Sequence, residues 1–243
     1  MNDVEASDSP GLQEAYDRIR QAILTGDLQP GSRISQLKLA EQHGLGRTPL
    51  REALRMIQRE GLITAEPGRS IRISPATVQD LDELYALRIG VETAAIRMSV
   101  PMLSKKDLKE LRALLDEMTE LERIDRFTGW DVLHRKFHLG LIAPAGERCQ
   151  ALSRQLSDHA ERYRRLYLSV PTSWLPARRD HTQILERCEA HDGDGAGRAL
   201  AEHYARTALT VATLIDSTYE PRLVRSAVRD ATRHVARAEV TGR

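Results

Sequence analysis

Aromatic residues are scarce in this 243-residue chain: they make up 4%, with two Trp and two Phe. Leu, Ala, Ile and Arg carry the pattern instead, a composition that favours helices. Cysteines are fewer still, and Cys149 and Cys188 lie far apart. That excludes a disulfide framework and a CxxC-type metal pair, and fits free thiols in a reducing compartment. No apolar run approaches the ~20 residues a membrane span needs. Charge of one sign is also missing: 36 Lys+Arg against 35 Asp+Glu leave a net charge of +1. Bulk charge therefore does not make the chain a polyanion binder, and any nucleic-acid contact must come from a local face. The opening MNDVEASDSP is acidic and polar, which is no signal peptide and reads as a disordered arm over residues 1–10. The expected location is cytoplasmic, with no membrane partner.

What is present divides in two. Hydrophobic residues reach 41%, enough for a core, and the length suits two modest domains. Tyr16, Ile19 and Ile23 recur at helical spacing, predicting a helix from about Leu12 to Thr25 that Gly26-Asp27 stops. After the Pro30-Gly31 turn, Ser35 caps a short helix over Gln36 to His43, ended by Gly44. A third helix is predicted over Thr48 to Glu60, with Thr48 as its cap and Pro49 in its first turn. Residues 62–65 and 70–73 read as two strands around Glu66-Pro67-Gly68-Arg69. Three helices followed by a hairpin define a winged helix-turn-helix over residues 11–75. Residues 74–76 form the linker. Beyond them, helices are expected at about 77–99, 104–124, 127–143, 148–169, 174–191 and 195–217, with breaks that include Gly129 and Gly193 through Gly197. The fold class is mainly α, with a C-terminal bundle of six to seven helices over 76–218. The tail over 219–243 has helical spacing of its own.

The third helix carries Arg47, Arg51, Arg55 and Arg59 four residues apart, opposite Leu50, Leu54 and Ile57. One face is buried and the other is an arginine stripe. A guanidinium suits bidentate contact with guanine in the major groove, and also binds phosphate. In a helix-turn-helix the start of the second helix enters the groove, so Arg47 and Arg51 are the favoured base readers. Thr48 and the helix N-terminus can take a phosphate, while Gly68 and Arg69 at the hairpin tip can lie along the groove or backbone. Residues 11–75 hold ten Lys+Arg against seven Asp+Glu, a mild bias that permits DNA binding. The blander reading is a solvated amphipathic helix.

Nearly all of residues 16–73 resembles the N-terminal domain of GntR-family regulators. The resemblance rests on Ile19-Arg20, Ile23, Gly26, Leu28, Pro30-Gly31, Leu39-Ala40, Gly44, the run Arg47 to Leu54, and Glu60-Gly61-Leu62. It implies binding to double-stranded operator DNA through the residues named above, and hence a nucleoid-associated protein. Two positions depart from the pattern: Gly46 stands where Ser or Thr is usual, and Ser70 where the wing usually has Gly.

Eight histidines are present, and His134 and His138 share one predicted helical face, a common spacing for metal ligands. His181 and His203 lie on neighbouring helices that an antiparallel pairing brings together. A lone histidine is more often a surface or satisfied core residue. Residues 77–216 nonetheless resemble the FCD-type domain of the FadR subfamily of GntR regulators. The stretches that carry this are Leu84 to Arg88 with Glu92, Phe137-His138, His181 with Ile184-Leu185, Asp194, Ala199 and His203. The resemblance implies a metal site made of His138, His181 and His203, with His134 where an Asp is usual, and Glu147 where an Asn is usual. Four neutral imidazoles favour zinc, nickel, copper or cobalt over hard cations, with zinc or nickel the leading candidates. Arg88 is the expected partner of a small carboxylate effector, or else pairs with Glu92 at i,i+4. Arg162, Arg164 and Arg165 also supply positive charge.

The resulting expectation is a homodimeric, effector-controlled transcription regulator, a repressor rather than an enzyme. A metalloenzyme would need an open coordination position and a general base, and no HExxH motif or nucleophile triad is visible. Two further readings stay open: a metal-free ligand sensor, and a helical scaffold carrying a DNA-binding head.

Overall fold

The structure, a computed structural model, describes residues 10–123, 127–167 and 175–241. The chain divides into two compact units, Met1–Ala76 and Thr77–Arg243.

The first unit contains α1 (Pro10–Thr25), β1 (Arg33–Ser35), α2 (Gln36–His43), α3 (Arg47–Arg59), β2 (Ile63–Glu66) and β3 (Ser70–Ile73). Ile19 and Ile23 of α1, Leu39 of α2, and Leu50, Leu54 and Ile57 of α3 meet Ile63, Ile71 and Ile73 in one apolar core. The expected alternation of apolar and basic faces on α3 is therefore what anchors it. Ser35 caps α2 by accepting from the Lys38 amide at 3.2 Å, and Gly44 ends it in the left-handed conformation at φ 62°, where glycine carries no Cβ penalty. Thr48 does not cap α3. The helix begins one residue earlier, and the capping position is Gly46, which has no side chain to offer.

Two features of the sheet exceed the expected hairpin. The three strands run in the order β1-β3-β2, both pairs antiparallel, so Arg33–Ser35 adds a third strand. Three residues are too short to show an alternation that sequence reading could detect. At the wing, the left-handed turn falls on Gly68 (φ 74°) and Arg69 (φ 57°), and Ser70 already belongs to β3. The Gln36 amide donates to the Arg69 carbonyl at 3.0 Å, which ties the wing to the start of α2. Of the arm expected over residues 1–10, Pro10 instead opens α1, and residues 1–9 lie outside the described residues.

The second unit is helical: α4 (Val78–Ser99), α5 (Lys105–Arg123), α6 (Phe127–Leu141), α7 (Glu147–Tyr167), α8 (Leu175–Glu189), α9 (Gly193–Ile215) and α10 (Arg222–Thr241). Short 3-10 turns over Val100–Met102 and Ala143–Ala145 link α4 to α5 and α6 to α7. Gly129 does not break α6, and the run from Gly193 to Gly197 does not break the chain before α9. These last glycines are α9's first turns, where small residues let it pack against Arg97 of α4. A Cβ on Gly193 would sit 3.2 Å from the Arg97 carbonyl oxygen, and one on Gly197 would sit 3.0 Å from the guanidinium.

α4 is the spine, packed on α7, α9 and α10. Its buried Asp82 accepts from the backbone amides of Val224 (2.9 Å) and Leu223 (3.2 Å) and from the Tyr219 hydroxyl (3.1 Å). A carboxylate from another helix thus satisfies the opening amides of α10, whose preceding Pro221 has no side-chain acceptor. Further along, Arg97 pairs with Asp194 of α9 at 3.1 Å and donates to the Ala231 carbonyl of α10. The tail is therefore a packed helix of this unit.

Candidate functional sites

On the first unit, the arginines and the wing border one concavity. A groove of about 680 Å³ is walled by Arg47, Leu50 and Arg51 of α3 and by Gly68 and Arg69 of the wing. Its remaining wall is Ser35, Gln36 and Leu37, which sequence reading did not single out. The signal was weak: they lie in a turn-to-helix junction whose only marked feature was the cap. Arg47, Arg51 and Arg69 are all exposed, Arg51 standing 3.5 Å from Glu52. Arg55 is held by Glu52 at 3.0 Å. Thr48 is exposed in the first turn of α3.

On the second unit, α6 presents His134 and His138 one turn apart, and α8 and α9 bring His181 and His203 to them. One ring nitrogen from each lies within 4.8 Å of all the others, and all four side chains are buried. His138 Nε2 is 3.1 Å from His134 Nε2 and 3.2 Å from His181 Nε2. A tetrahedral site with metal–nitrogen bonds of ~2.0–2.1 Å has nitrogen–nitrogen edges of roughly 3.3 Å, so the donor set fits a transition-metal ion.

The surroundings set the state of these rings. The Tyr204 hydroxyl donates to Glu92 Oε2 at 2.5 Å, and its oxygen receives Arg88 Nη2 at 2.8 Å. The 3.1 Å contact with His138 Nδ1 then places a proton on that nitrogen, leaving the Nε2 lone pair facing the cluster. His203 turns its Nδ1 toward Asp180 at 3.4 Å, and Asp180 also holds Arg206 at 3.1 Å. His134 stacks on Trp130, centroids 4.5 Å apart. The Nδ1 atoms of His134 and His181 are buried without a hydrogen-bond partner among the described residues. Burial, followed by neighbouring rings, pushes His134, His138 and His181 well below the ordinary value of 6.5; His203 also falls, though Asp180 partly opposes the effect of burial.

Arg88 is engaged by Glu92 and Tyr204. Its side chain is 1% exposed, its Nε is 2.9 Å from Glu92, and its guanidinium lies 4.0 Å from the Tyr204 ring centroid. The i,i+4 spacing to Glu92 decides this, because a buried guanidinium takes the nearest carboxylate. The three arginines of α7 have different fates. Arg165 is committed to Asp131 and to Glu161, the latter at 2.6 Å. Arg162 is buried and also has a partner. Arg164 is buried, its Nη2 has no hydrogen-bond partner, and no carboxylate stands within ion-pair distance of it among the described residues. Its charge helps depress the protonation of all four cluster histidines. Glu147, by contrast, is exposed at the start of α7.

A winged helix-turn-helix carrying an exposed arginine groove, joined to a helical domain with a buried donor cluster, defines a DNA-binding type of transcription regulator. The comparisons with known proteins agree. Residues 12–73 match the gntR family of bacterial regulatory proteins, and residues 83–206 match the FCD domain. The chain belongs to the GntR family, and its FCD domain fits the FadR subfamily. It is 26% identical over 201 residues to the HTH-type transcriptional regulator YdhC of Bacillus subtilis, covering 81% of this chain and 88% of that protein. It is 25% identical over 199 residues to the HTH-type transcriptional repressor GlaR of Escherichia coli, covering 78% and 90%. Its fold matches the solved structure of E. coli McbR/YncC at a TM-score of 0.72 and 22% identity, covering 82% of this chain and 96% of that one. The protein is thus a transcriptional regulator and not an enzyme. Among the described residues, no helix is long and apolar enough to cross a membrane.

The buried histidines make stability depend on pH. Their folded pKa values lie below 6.5, so on acidification the unfolded chain binds protons that the folded chain refuses. Their full contribution is present above about 6.5 and is lost as pH falls below it. Metal-free protein melted between about pH 8 and about pH 5.5, above the main carboxylate range, is expected to show Tm falling through the lower half of that window. A flat profile would mean that the rings are solvated in the folded chain.

Proposed function

We propose that the protein is a repressor that binds a two-fold operator as a homodimer and releases it when a small organic acid occupies the metal centre of the helical unit. The observation that carries this reading is the convergence of four buried imidazoles near Arg164, whose buried Nη2 has no hydrogen-bond partner among the described residues. Such a site has donors for a cation and a positive charge for an anion. His134, His138, His181 and His203 would hold the metal, with zinc or nickel suiting four imidazoles better than a hard cation. Such an ion supplies Lewis-acid attraction for a carboxylate oxygen. Arg164 then supplies the hydrogen-bonding fork for that carboxylate, the role first expected of Arg88. Arg88 is instead a positioning residue, acting on His138 through Tyr204.

The DNA-reading assignment rests on Arg47, Arg51, Gly68 and Arg69 walling one groove, with Thr48 adding a phosphate contact at the start of α3. The direction of control follows GlaR, itself named a repressor. An effector that prefers one of two arrangements of the dimer shifts the population away from the DNA-competent one. The proposed dimer face is a stripe along α4. Leu87 and Met98 are 58% and 60% exposed, and the exposed small residues Gly90 and Ala94 between them allow two copies of the helix to approach closely about a two-fold axis.

Purified protein is expected to carry one transition-metal ion per chain by mass spectrometry; in calorimetry against small hydroxy and keto acids, Arg164→Gln should bind the effector about 10- to 100-fold more weakly with metal content unchanged. A variant that bound equally well would remove Arg164 from the site. Arg51→Ala should cost about 1–3 kcal/mol at the cognate base pair, read as a relaxed preference in footprinting on selected operators, and an unchanged footprint would refute its role. Ala94→Arg should convert a dimer to a monomer in sedimentation velocity; a dimer that persists places the interface elsewhere.

A further inference from the structure

The groove that gathers the arginines is also lined by two leucines, of which Leu50 is buried and Leu37 is not. Leu37, the second residue of α2, lines it together with Arg47, Arg51 and Arg69. It is 52% exposed. Two residues on, Leu39 is fully buried in the core of the unit. Leu37 takes no part in that core, so packing within the unit does not explain a large apolar residue here. Its neighbours in the groove are the guanidinium-bearing side chains Arg47, Arg51 and Arg69. The Gln36 amide fixes the backbone beside it by donating to the wing carbonyl of Arg69. The Ser35 cap fixes the helix start from the other side.

A leucine offers a base edge no hydrogen bond. The one apolar group that the major groove displays is the C5-methyl of thymine. We propose that Leu37 is a specificity-determining residue that packs against a thymine methyl in each operator half-site, beside the base read by the α3 arginines. The groove then combines two kinds of readout, with guanidinium groups taking hydrogen-bond acceptors and Leu37 taking the methyl. The proposal rests on this groove being the DNA-reading surface, so the test separates the two claims.

Full-length protein is used to select tight-binding duplexes from a randomised pool, and each thymine of the selected half-site is replaced in turn by deoxyuridine, which removes only the methyl. Wild-type protein is expected to lose roughly fourfold in affinity per methyl removed at one thymine position of the half-site. Leu37→Ala, a change at an exposed side chain, should bind the thymine operator more weakly and no longer distinguish thymine from deoxyuridine there. Leu37→Met should restore most of the difference. If no thymine shows a methyl effect, or if Leu37→Ala keeps it, the Leu37 assignment is overturned while the arginine groove stands. If no duplex is enriched, both fall.

Discussion

The chemistry of the helical unit follows from where its buried carboxylates stand relative to its buried guanidinium groups. Two buried arginines show it by contrast. Arg88 is neutralised within 2.9 Å by Glu92 and shares Tyr204 with it. Arg164 is buried with an unpartnered nitrogen and only more distant carboxylates. A buried ionised group without a partner costs several kcal/mol. Four imidazoles share its neighbourhood, and burial keeps them neutral, with the Arg164 charge opposing their protonation further. A cluster held neutral in this way retains its lone pairs, which is the state metal binding requires.

Polar contacts on α4 connect this cluster to the rest of the unit. Arg88 reaches His138 through Tyr204, Asp82 closes the start of α10, and Arg97 ties α9 and α10 together. If α4 also forms the dimer face, as proposed, one rigid helix carries the groups that orient the ligands and the surface that meets the second copy. No separate pathway is then needed, because a bias at the cluster acts on the helix that the interface is made of.

Much of this was legible in the amino-acid order because the signals were local. The α3 stripe, the Gly44 stop and the His134–His138 spacing each depend on residues within one or two turns of each other, and periodicity exposes them. The convergence of His181 and His203 on that pair needed only two neighbouring helices. Placements that depend on long-range packing were harder to read. Glycines at 193 and 197 look like breaks in one dimension, and only the approach of Arg97 shows that they are contact points inside a helix. β1 pairs with β3, which lies far along the chain. The opposite fates of Arg88 and Arg164 turn on where Glu92 and Tyr204 sit, which spacing hinted at for the first and could not for the second.

The substitution at position 134 gives the charge argument its last step. The family resemblance leads to the expectation of an aspartate there, and this chain has a neutral histidine stacked on Trp130. An aspartate would cancel one unit of a divalent ion's charge; His134 cancels none. On the proposed reading the full dication and the Arg164 cation would occupy one low-dielectric site with no ionised ligand among the four donors. Attraction for an anion there is stronger than in a site with a carboxylate ligand, and a second carboxylate on the effector would be favoured rather than merely tolerated. The exchange of one ligand thus weakens the case for hard cations and at the same time strengthens the case for an effector carrying more than one negative charge.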